Sequence, residues 1–186
     1  ERAARHVRVA AVVDGDGVEI LPPRRIPYDT LVIAIGSESN DFGTPGVREH
    51  AFTIDNAWQA NLFHRRLVNA CFRANFADDG RVIDIAIVGA GATGVELAAE
   101  LHNTIRTLAA YGLERFDPAR QIRLTLLEAG PRILPGLPRH IVDGALQTLE
   151  GLGVQVLAGE RVVEVDAATV KTARRREVRR DFTVWA

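Results

Sequence analysis

Gly89, Gly91 and Gly94 stand in Ile87-Val88-Gly89-Ala90-Gly91-Ala92-Thr93-Gly94-Val95-Glu96, spaced Gly-x-Gly-x-x-Gly. As a bare hexapeptide this pattern arises by chance. Here an apolar, strand-like run enters it and a helical pattern leaves it, the context in which such a loop holds a dinucleotide. Gly89 would make the tight turn, Gly91 would let the backbone approach a pyrophosphate, and Gly94 would let helix pack on strand. The helix start, from Gly91 through Ala92 and Thr93, would add unpaired N–H groups and the positive end of the dipole. The competing reading is a tight turn without a ligand.

Glu128 ends the next apolar run, Gln121-Ile122-Arg123-Leu124-Thr125-Leu126-Leu127-Glu128. A carboxylate there would accept hydrogen bonds from adenosine ribose hydroxyls and repel a 2'-phosphate, which favours NADH over NADPH. It lies 34 residues beyond Gly94, more than the roughly 20 expected. A long first helix and a Gly112–Arg120 connection account for the excess. Arg132 is near enough to serve a 2'-phosphate, and is read instead as a solvated or pyrophosphate-side residue. Glu96 has two readings that stay open: a favourable charge in the first helical turn, or a carboxylate working near the nicotinamide.

Other chemistry finds little support. The five histidines, His6, His50, His64, His102 and His140, show no paired metal-ligand spacing, and no serine sits in a Gly-x-Ser-x-Gly elbow. Cys71 is the single cysteine, so no internal disulfide, Cys-x-x-Cys pair or thiolate zinc cluster can form; this fits a reducing compartment. Lys171, Arg174, Arg175, Arg176, Arg179 and Arg180 make a basic run that could meet nucleic acid or anionic lipid. Without interleaved aromatics it reads as a solvated turn, and no nucleic-acid partner is expected.

The elements that must position these residues follow from patterning. With 186 residues, 47% hydrophobic and 25% charged, and a net charge of -1, the chain has globular composition and no overall field to attract polyanions. No apolar run reaches the roughly 18 to 20 residues that span a bilayer, and Glu1-Arg2-Ala3-Ala4-Arg5 leads into no signal-like segment. Val7–Val13 and Gly17–Leu21 flank Asp14-Gly15-Asp16, predicting a hairpin. Tyr28–Gly36 contains a continuous Leu-Val-Ile-Ala-Ile run that predicts a strand buried on both faces. Ser37–Arg48 reads as an irregular connection. A helix is expected from an Asp55 cap to about Asn75, with Trp58, Leu62, Leu67, Ala70 and Cys71 on one side, and Asp78-Asp79-Gly80 turns the chain.

Gly94, Ala98, Leu101, Ile105 and Leu108 recur at helical spacing, so strand, glycine loop, helix and second strand form a βαβ unit. A second helix near Arg139–Glu150, a strand at Val154–Leu157 and a hairpin of Val162–Asp166 with Thr169–Thr172 complete an α/β, doubly wound Rossmann-like domain. The closing run Asp181–Ala186 echoes Asp29–Ala34, and each copy follows a hairpin. The chain therefore reads as a fragment: residues 1–47 the tail of one α/β unit, and residues 48–186 a second, nearly whole one.

Taken together, Tyr28–Ser37, Asn40-Asp41-Phe42 with Thr44-Pro45-Gly46, the segment from Ile87 to Leu101, and Leu127-Glu128-Ala129-Gly130-Pro131-Arg132-Ile133-Leu134-Pro135 resemble type II NADH dehydrogenases, single-chain flavin NADH:quinone oxidoreductases of the two-dinucleotide flavoprotein superfamily. The resemblance implies an FAD domain with an inserted NADH domain of the same fold, hydride passing from NADH to FAD, and electrons passing to a membrane quinone. It places Gly36 near FAD, the Gly89 loop and Glu128 at the NADH, Glu96 near nicotinamide and flavin, and Trp185-Ala186 beside the NADH site. Residues 1–47 would then be an FAD-domain remnant. The fragment would bind NADH without FAD or turnover, in a cytoplasmic setting, with the parent peripheral to the cytoplasmic face of the inner membrane. The alternatives are the NAD(P)H domain of a disulfide, ferredoxin or nitrite reductase, a stand-alone Rossmann dehydrogenase, and a non-catalytic module using the arginine-rich hairpin.

Overall fold

The computed structural model describes residues 5–36, 38–77 and 80–186, and the chain forms two compact units, Glu1–Ser37 and Glu38–Ala186. The N-terminal residues 1–4, Ser37 at the head of the expected connection, and the Asp78-Asp79 part of the expected turn lie outside the described residues.

In the first unit β1 (His6–Val9), β2 (Val12–Val13), β3 (Glu19–Leu21) and β4 (Arg24–Pro27) form two antiparallel pairs, β1 with β4 and β2 with β3. The Asp14 carboxylate accepts the Asp16 and Val18 amides at 3.0 and 2.9 Å, which closes the expected turn. Two expectations are corrected here. The Val7–Val13 run splits in two, and its first half pairs with Arg24–Pro27, which the prolines had hidden; Pro27 sits at the strand end. Tyr28–Gly36 forms no strand: Val32, Ile33 and Ile35 are 80, 72 and 92% exposed. Among the described residues no strand pairs with it, and without a ladder an apolar run has nothing to hold it extended.

The second unit contains α1 (Val47–His50), β5 (Phe52–Thr53), α2 (Ala57–Phe76), β6 (Ile83–Val88), α3 (Ala92–Ala110), α4 (Pro118–Gln121), β7 (Ile122–Glu128), α5 (Arg139–Gly151), β8 (Gln155–Ala158), β9 (Val162–Val165), β10 (Thr169–Thr172), β11 (Glu177–Arg179) and β12 (Phe182–Trp185). Five strands form one parallel sheet in the order β5-β12-β6-β7-β8, the α/β Rossmann-like arrangement expected. The predicted hairpin gains β11 and becomes an antiparallel sheet, β11-β10-β9.

Alternation along each strand assigns the two faces. Ile83, Ile85, Ile87, Leu124, Leu126, Phe182 and Val184 pack with side chains of α2, α3 and α5. Ala86, Val88, Leu127 and Trp185 pack with Val47, Val162, Val165 and Val170. Long helices thus cover one face and the three-stranded sheet covers the other. With both faces buried, the strands are apolar throughout, as a parallel sheet requires.

Helix α2 is capped by Asn56, whose side chain accepts the Gln59 amide at 3.0 Å. Asp55 instead accepts the Ser39 amide and hydroxyl at 2.9 and 2.7 Å. With Asn56 as the cap, Phe63, Leu67, Ala70, Cys71 and Ala74 form the buried side, while Trp58 is exposed. Phe63 meets Phe52 and Phe182 edge-on, at 5.4 and 6.0 Å between centroids. The expected irregular connection is ordered by its own side chains: Asn40 and Asp41 accept the amides two residues on, each at 2.8 Å, and the Asn40 carbonyl accepts the Trp185 indole N–H at 2.8 Å. Among the described residues no helix is long and apolar enough to cross a membrane.

Candidate functional site

The glycine loop connects the end of β6 to α3 and meets the ends of β7 and β12. Gly89 has φ +105°, a left-handed conformation that favours glycine, and a Cβ there would stand 2.3 Å from the Ala186 carbonyl oxygen. Its amide donates to Leu127 O at 2.8 Å, and Ala186 N donates to Val88 O at 2.8 Å. Gly94 lies in the first turn of α3, where a Cβ would stand 1.9 Å from Gly89 O. Only hydrogen fits there, because the obstacle is backbone. Gly91 differs. It is the helix N-cap, and a Cβ would meet nothing within 4 Å. Two of the three glycines are therefore demanded by the fold, and the third leaves open space at a helix N-terminus. That space is what a close-lying anion would use.

Gly91, Ala92 and Thr93 are exposed. The first amide known to close an α3 turn onto the cap is that of Val95, which donates to Gly91 O at 3.1 Å; the amides before it are the ones a helix start leaves without intrahelical partners. They face the positive end of a helix running to Ala110. The residues present fit a dinucleotide pyrophosphate on these grounds.

Glu128 lies beside the loop and is more than a free carboxylate. One oxygen accepts the Ala90 amide at 2.9 Å and the other the Gly130 amide at 2.6 Å. It ties the glycine loop to the turn after β7. A carboxylate offers about four acceptor sites, so each oxygen keeps a lone pair for a hydroxyl. Leu134, with φ +47°, donates its amide to Ala90 O at 2.8 Å and ties the same turn back to the loop. Neither contact was visible in the sequence.

Arg132 donates to the carbonyls of Leu137 and Pro135 at 3.2 and 2.5 Å. These exposed bonds brace its own loop. Glu96 is the fifth residue of α3, beyond the first turn and exposed; the reading as a first-turn charge is corrected by the helix starting at Ala92. Ala186 meets the loop directly, through its carbonyl at Gly89 and its methyl 3.5 Å from a Cβ at Gly94. Gly36 belongs to the first unit, with φ +78° and open space where a Cβ would be. The structure brings Gly89, Gly91, Gly94, Glu128 and Ala186 together.

Arg174, Arg175, Arg176 and Arg179 of the basic run are exposed and the first two lie in a turn, as the solvated-turn reading expects, while Lys171, Arg176 and Arg180 also hold partners within the fold. Lys171 pairs with Glu164 and Asp166 at 2.9 and 3.0 Å. Arg176 Nε lies 3.0 Å from the buried Glu160, which also accepts the Thr172 hydroxyl at 2.7 Å. The Arg180 guanidinium donates to Asp166 O and, at 3.0 Å, to His50 O. A cleft of about 750 Å³ lined by Arg66, Arg73, Phe76 and Phe182 lies at the starting ends of β6 and β12, the opposite end of the sheet from the loop. Ligands of open α/β sheets bind beyond the carboxyl ends of the strands, where the glycine loop lies and this cleft does not. Among the described residues no cluster of His, Cys, Asp and Glu is arranged to hold a metal.

Comparison with known proteins agrees with this geometry. The sequence profile described as pyridine nucleotide-disulphide oxidoreductase matches residues 3–186. A type II NADH:quinone oxidoreductase of Haemophilus influenzae is 37% identical over 201 residues, covering all of this chain and 45% of that protein. The external alternative NAD(P)H-ubiquinone oxidoreductase B4 of Arabidopsis thaliana mitochondria is 33% identical over 80% of this chain and 26% of its own length. Among solved structures, NDH2 of Plasmodium falciparum in complex with NADH superposes with a TM-score of 0.74 at 20% identity, covering all of this chain and 38% of that one. The chain thus spans less than half the length of these relatives. By its matched length and its fold, the chain belongs to the pyridine nucleotide-disulphide oxidoreductase family.

Proposed function

We propose that the chain is the NADH-binding part of a flavin-dependent type II NADH:quinone oxidoreductase, with residues 1–47 belonging to its FAD domain and residues 48–186 to its NADH domain. The observation that carries the nucleotide site is the open space at Gly91, between Gly89 and Gly94 whose own positions are filled by backbone. The amides of Gly91, Ala92 and Thr93 would bind the pyrophosphate, which the helix dipole favours. Glu128 would accept the ribose hydroxyls while holding the Ala90 and Gly130 amides. Its charge disfavours a 2'-phosphate, which makes NADH the favoured nucleotide. Arg132, held by the carbonyls of its own turn, would keep that turn in place beside the pyrophosphate.

Glu96 would lie toward the nicotinamide, and Ala186 would line the same crevice. In the complete protein FAD accepts hydride and passes electrons on to a quinone, and Gly36 would lie near it. A membrane quinone as acceptor would make the complete protein peripheral to a membrane, with the cytoplasmic face of the inner membrane as the proposed side. The relatives' names, NADH:quinone and NAD(P)H-ubiquinone oxidoreductase, support the nucleotide and the quinone as the two substrates.

Calorimetric titration tests the site. NADH is expected to bind the wild-type chain and to lose binding in Gly91→Val, whose side chain occupies the phosphate space. Equal binding by both proteins would refute the assignment.

A further inference from the structure

Among the described residues the side chains of both Arg174 and Arg175 lack a hydrogen bond or close ion pair; what distinguishes Arg174, whose charge also acts on buried Glu160, is where its guanidinium rests. The turn that carries it is closed by the Thr172 amide on Arg176 O at 3.0 Å, the Arg175 amide on Thr172 O at 2.9 Å and the Ala173 amide on Arg161 O at 2.8 Å. Arg175 has φ +62° at its tip. The Arg174 guanidinium lies on Gly159: the Cβ position of that glycine is 3.3 to 3.5 Å from the two terminal nitrogens and Cζ. Gly159 has φ +73°, a conformation that favours glycine, and so presents no side chain beneath the guanidinium.

Gly159 in turn belongs to the crevice. β7 and β8 run side by side with Glu128 opposite Ala158. Beyond that register, Glu160 N donates to Glu128 O at 2.8 Å and Gly159 N to Gly130 O at 2.7 Å. The strand ends therefore form a row: the glycine loop after β6, Glu128 and Gly130 after β7, Gly159 with Arg174 after β8. A dinucleotide whose pyrophosphate rests on the α3 N-terminus and whose ribose meets Glu128 extends its adenosine end to the third position of that row.

We infer that Arg174 reads the adenosine end of the nucleotide and supplies the positive charge that admits a 2'-phosphate beside Glu128, so that the chain binds NADPH as well as NADH. This rests on the nucleotide site proposed above. Glu128 opposes the 2'-phosphate and Arg174, one strand over, opposes Glu128. A guanidinium suits the task because its planar donors bind phosphate in pairs and its face stacks on a purine. Arg176 cannot substitute, since its Nε is held by buried Glu160.

ADP-ribose and its 2'-phosphorylated form probe this end of the site without nicotinamide or flavin chemistry, and calorimetry on the full chain reads both. Arg174→Gln keeps a side chain over Gly159 and removes the charge. It is expected to weaken the 2'-phosphorylated ligand about tenfold, the range of a charge-assisted hydrogen bond, and ADP-ribose by less than about threefold. Arg174→Lys should retain part of the difference. Arg175→Asn removes the neighbouring charge at a residue type that tolerates the left-handed conformation, and should leave the ratio of the two affinities unchanged. An unchanged ratio in Arg174→Gln, or the same loss in Arg175→Asn, would overturn the inference while leaving the nucleotide site standing. Failure of the wild-type chain to bind either ligand would overturn the site itself.

Discussion

Asp29-Thr30-Leu31-Val32-Ile33-Ala34 and Asp181-Phe182-Thr183-Val184-Trp185-Ala186 follow one pattern and have opposite fates. The second contains β12, inserted between β5 and β6 with Val184 fully buried. The first forms no strand, and its Val32 is 80% exposed. The difference lies in what surrounds each run. Asp181 accepts the Asp84 amide at 2.9 Å and an Arg81 guanidinium N–H at 2.7 Å, which sets the strand's start against β6. Trp185 is anchored at the other end by the Asn40 carbonyl. Among the described residues nothing comparable flanks Leu31–Ile35. A strand is the property of a ladder, and an apolar run only qualifies for one.

The sharpest way to break this comparison is to place a charge in each copy. Val184→Asp puts a carboxylate into the core between the parallel sheet and the helices and should cost about 4 kcal/mol or more, enough to unfold the second unit. Ile33→Asp should shift stability by about 0.5 kcal/mol at most and reduce any self-association driven by the exposed run. Urea unfolding checks the first claim and light scattering the second. Similar losses in both would mean that the first run is buried after all.

The glycine loop beside β12 offers the same contrast on a smaller scale. Gly94→Val must move the Gly89 carbonyl and should cost about 3 kcal/mol. Gly91→Val meets open space and should cost about 1 kcal/mol or less, the difference between cap residues. Thermal unfolding of the two variants would separate the glycine the fold needs from the glycine a ligand needs.

Much of this was legible in the sequence because the relevant signals are local. The β6-loop-α3-β7 unit announces itself through an apolar run, three glycines and a helical stripe, and α3 buries Gly94, Ala98, Leu101 and Ile105 along that stripe. What was not legible depends on partners distant along the chain. Tyr28–Gly36 carries the composition of a buried strand, but composition says nothing of neighbours. Asn56 rather than Asp55 caps α2 because Asp55 is claimed by Ser39. β11 was hidden in a basic run, because the partners of Lys171, Arg176 and Arg180, which are Asp166, Glu160 and the His50 carbonyl, reach them only through the fold. In the site the glycines and Glu128 stood out by type and spacing, whereas the clamp of Glu128 on Ala90 and the seat of Arg174 on Gly159 need the strand register.

The sheet that covers the second face of β12 should respond to acid. The Thr172 hydroxyl, and after it Arg176, hold the Glu160 carboxyl below its ordinary value of 4.5. Backbone amides led by that of Ala168, then Lys171 and Thr169, hold Asp166 well below 3.8. Both folded values are depressed, so their stabilisation is complete above the unfolded values and is lost as pH falls through the folded ones. The urea midpoint should therefore decline progressively below about pH 4.5, and Glu160→Gln should flatten part of that decline. A midpoint rising toward acid would reverse the assignment.

The smallest effect concerns Cys71, which belongs to the same buried cluster as Val184. Burial pushes its thiol up to about 11, so little thiolate exists at neutral pH. Iodoacetamide should label it only through opening of the unit, at a rate that Ile33→Asp leaves unchanged. Rapid labelling of the folded chain would show the cluster to be looser than its packing.

Hydrogen exchange of the chain with and without NADH tests the central claim most directly. The account predicts new protection at the amides from Gly91 to Thr93, with Gly130 following because Glu128 joins the two segments. Protection elsewhere, or none at the start of α3 while NADH is bound, would contradict it.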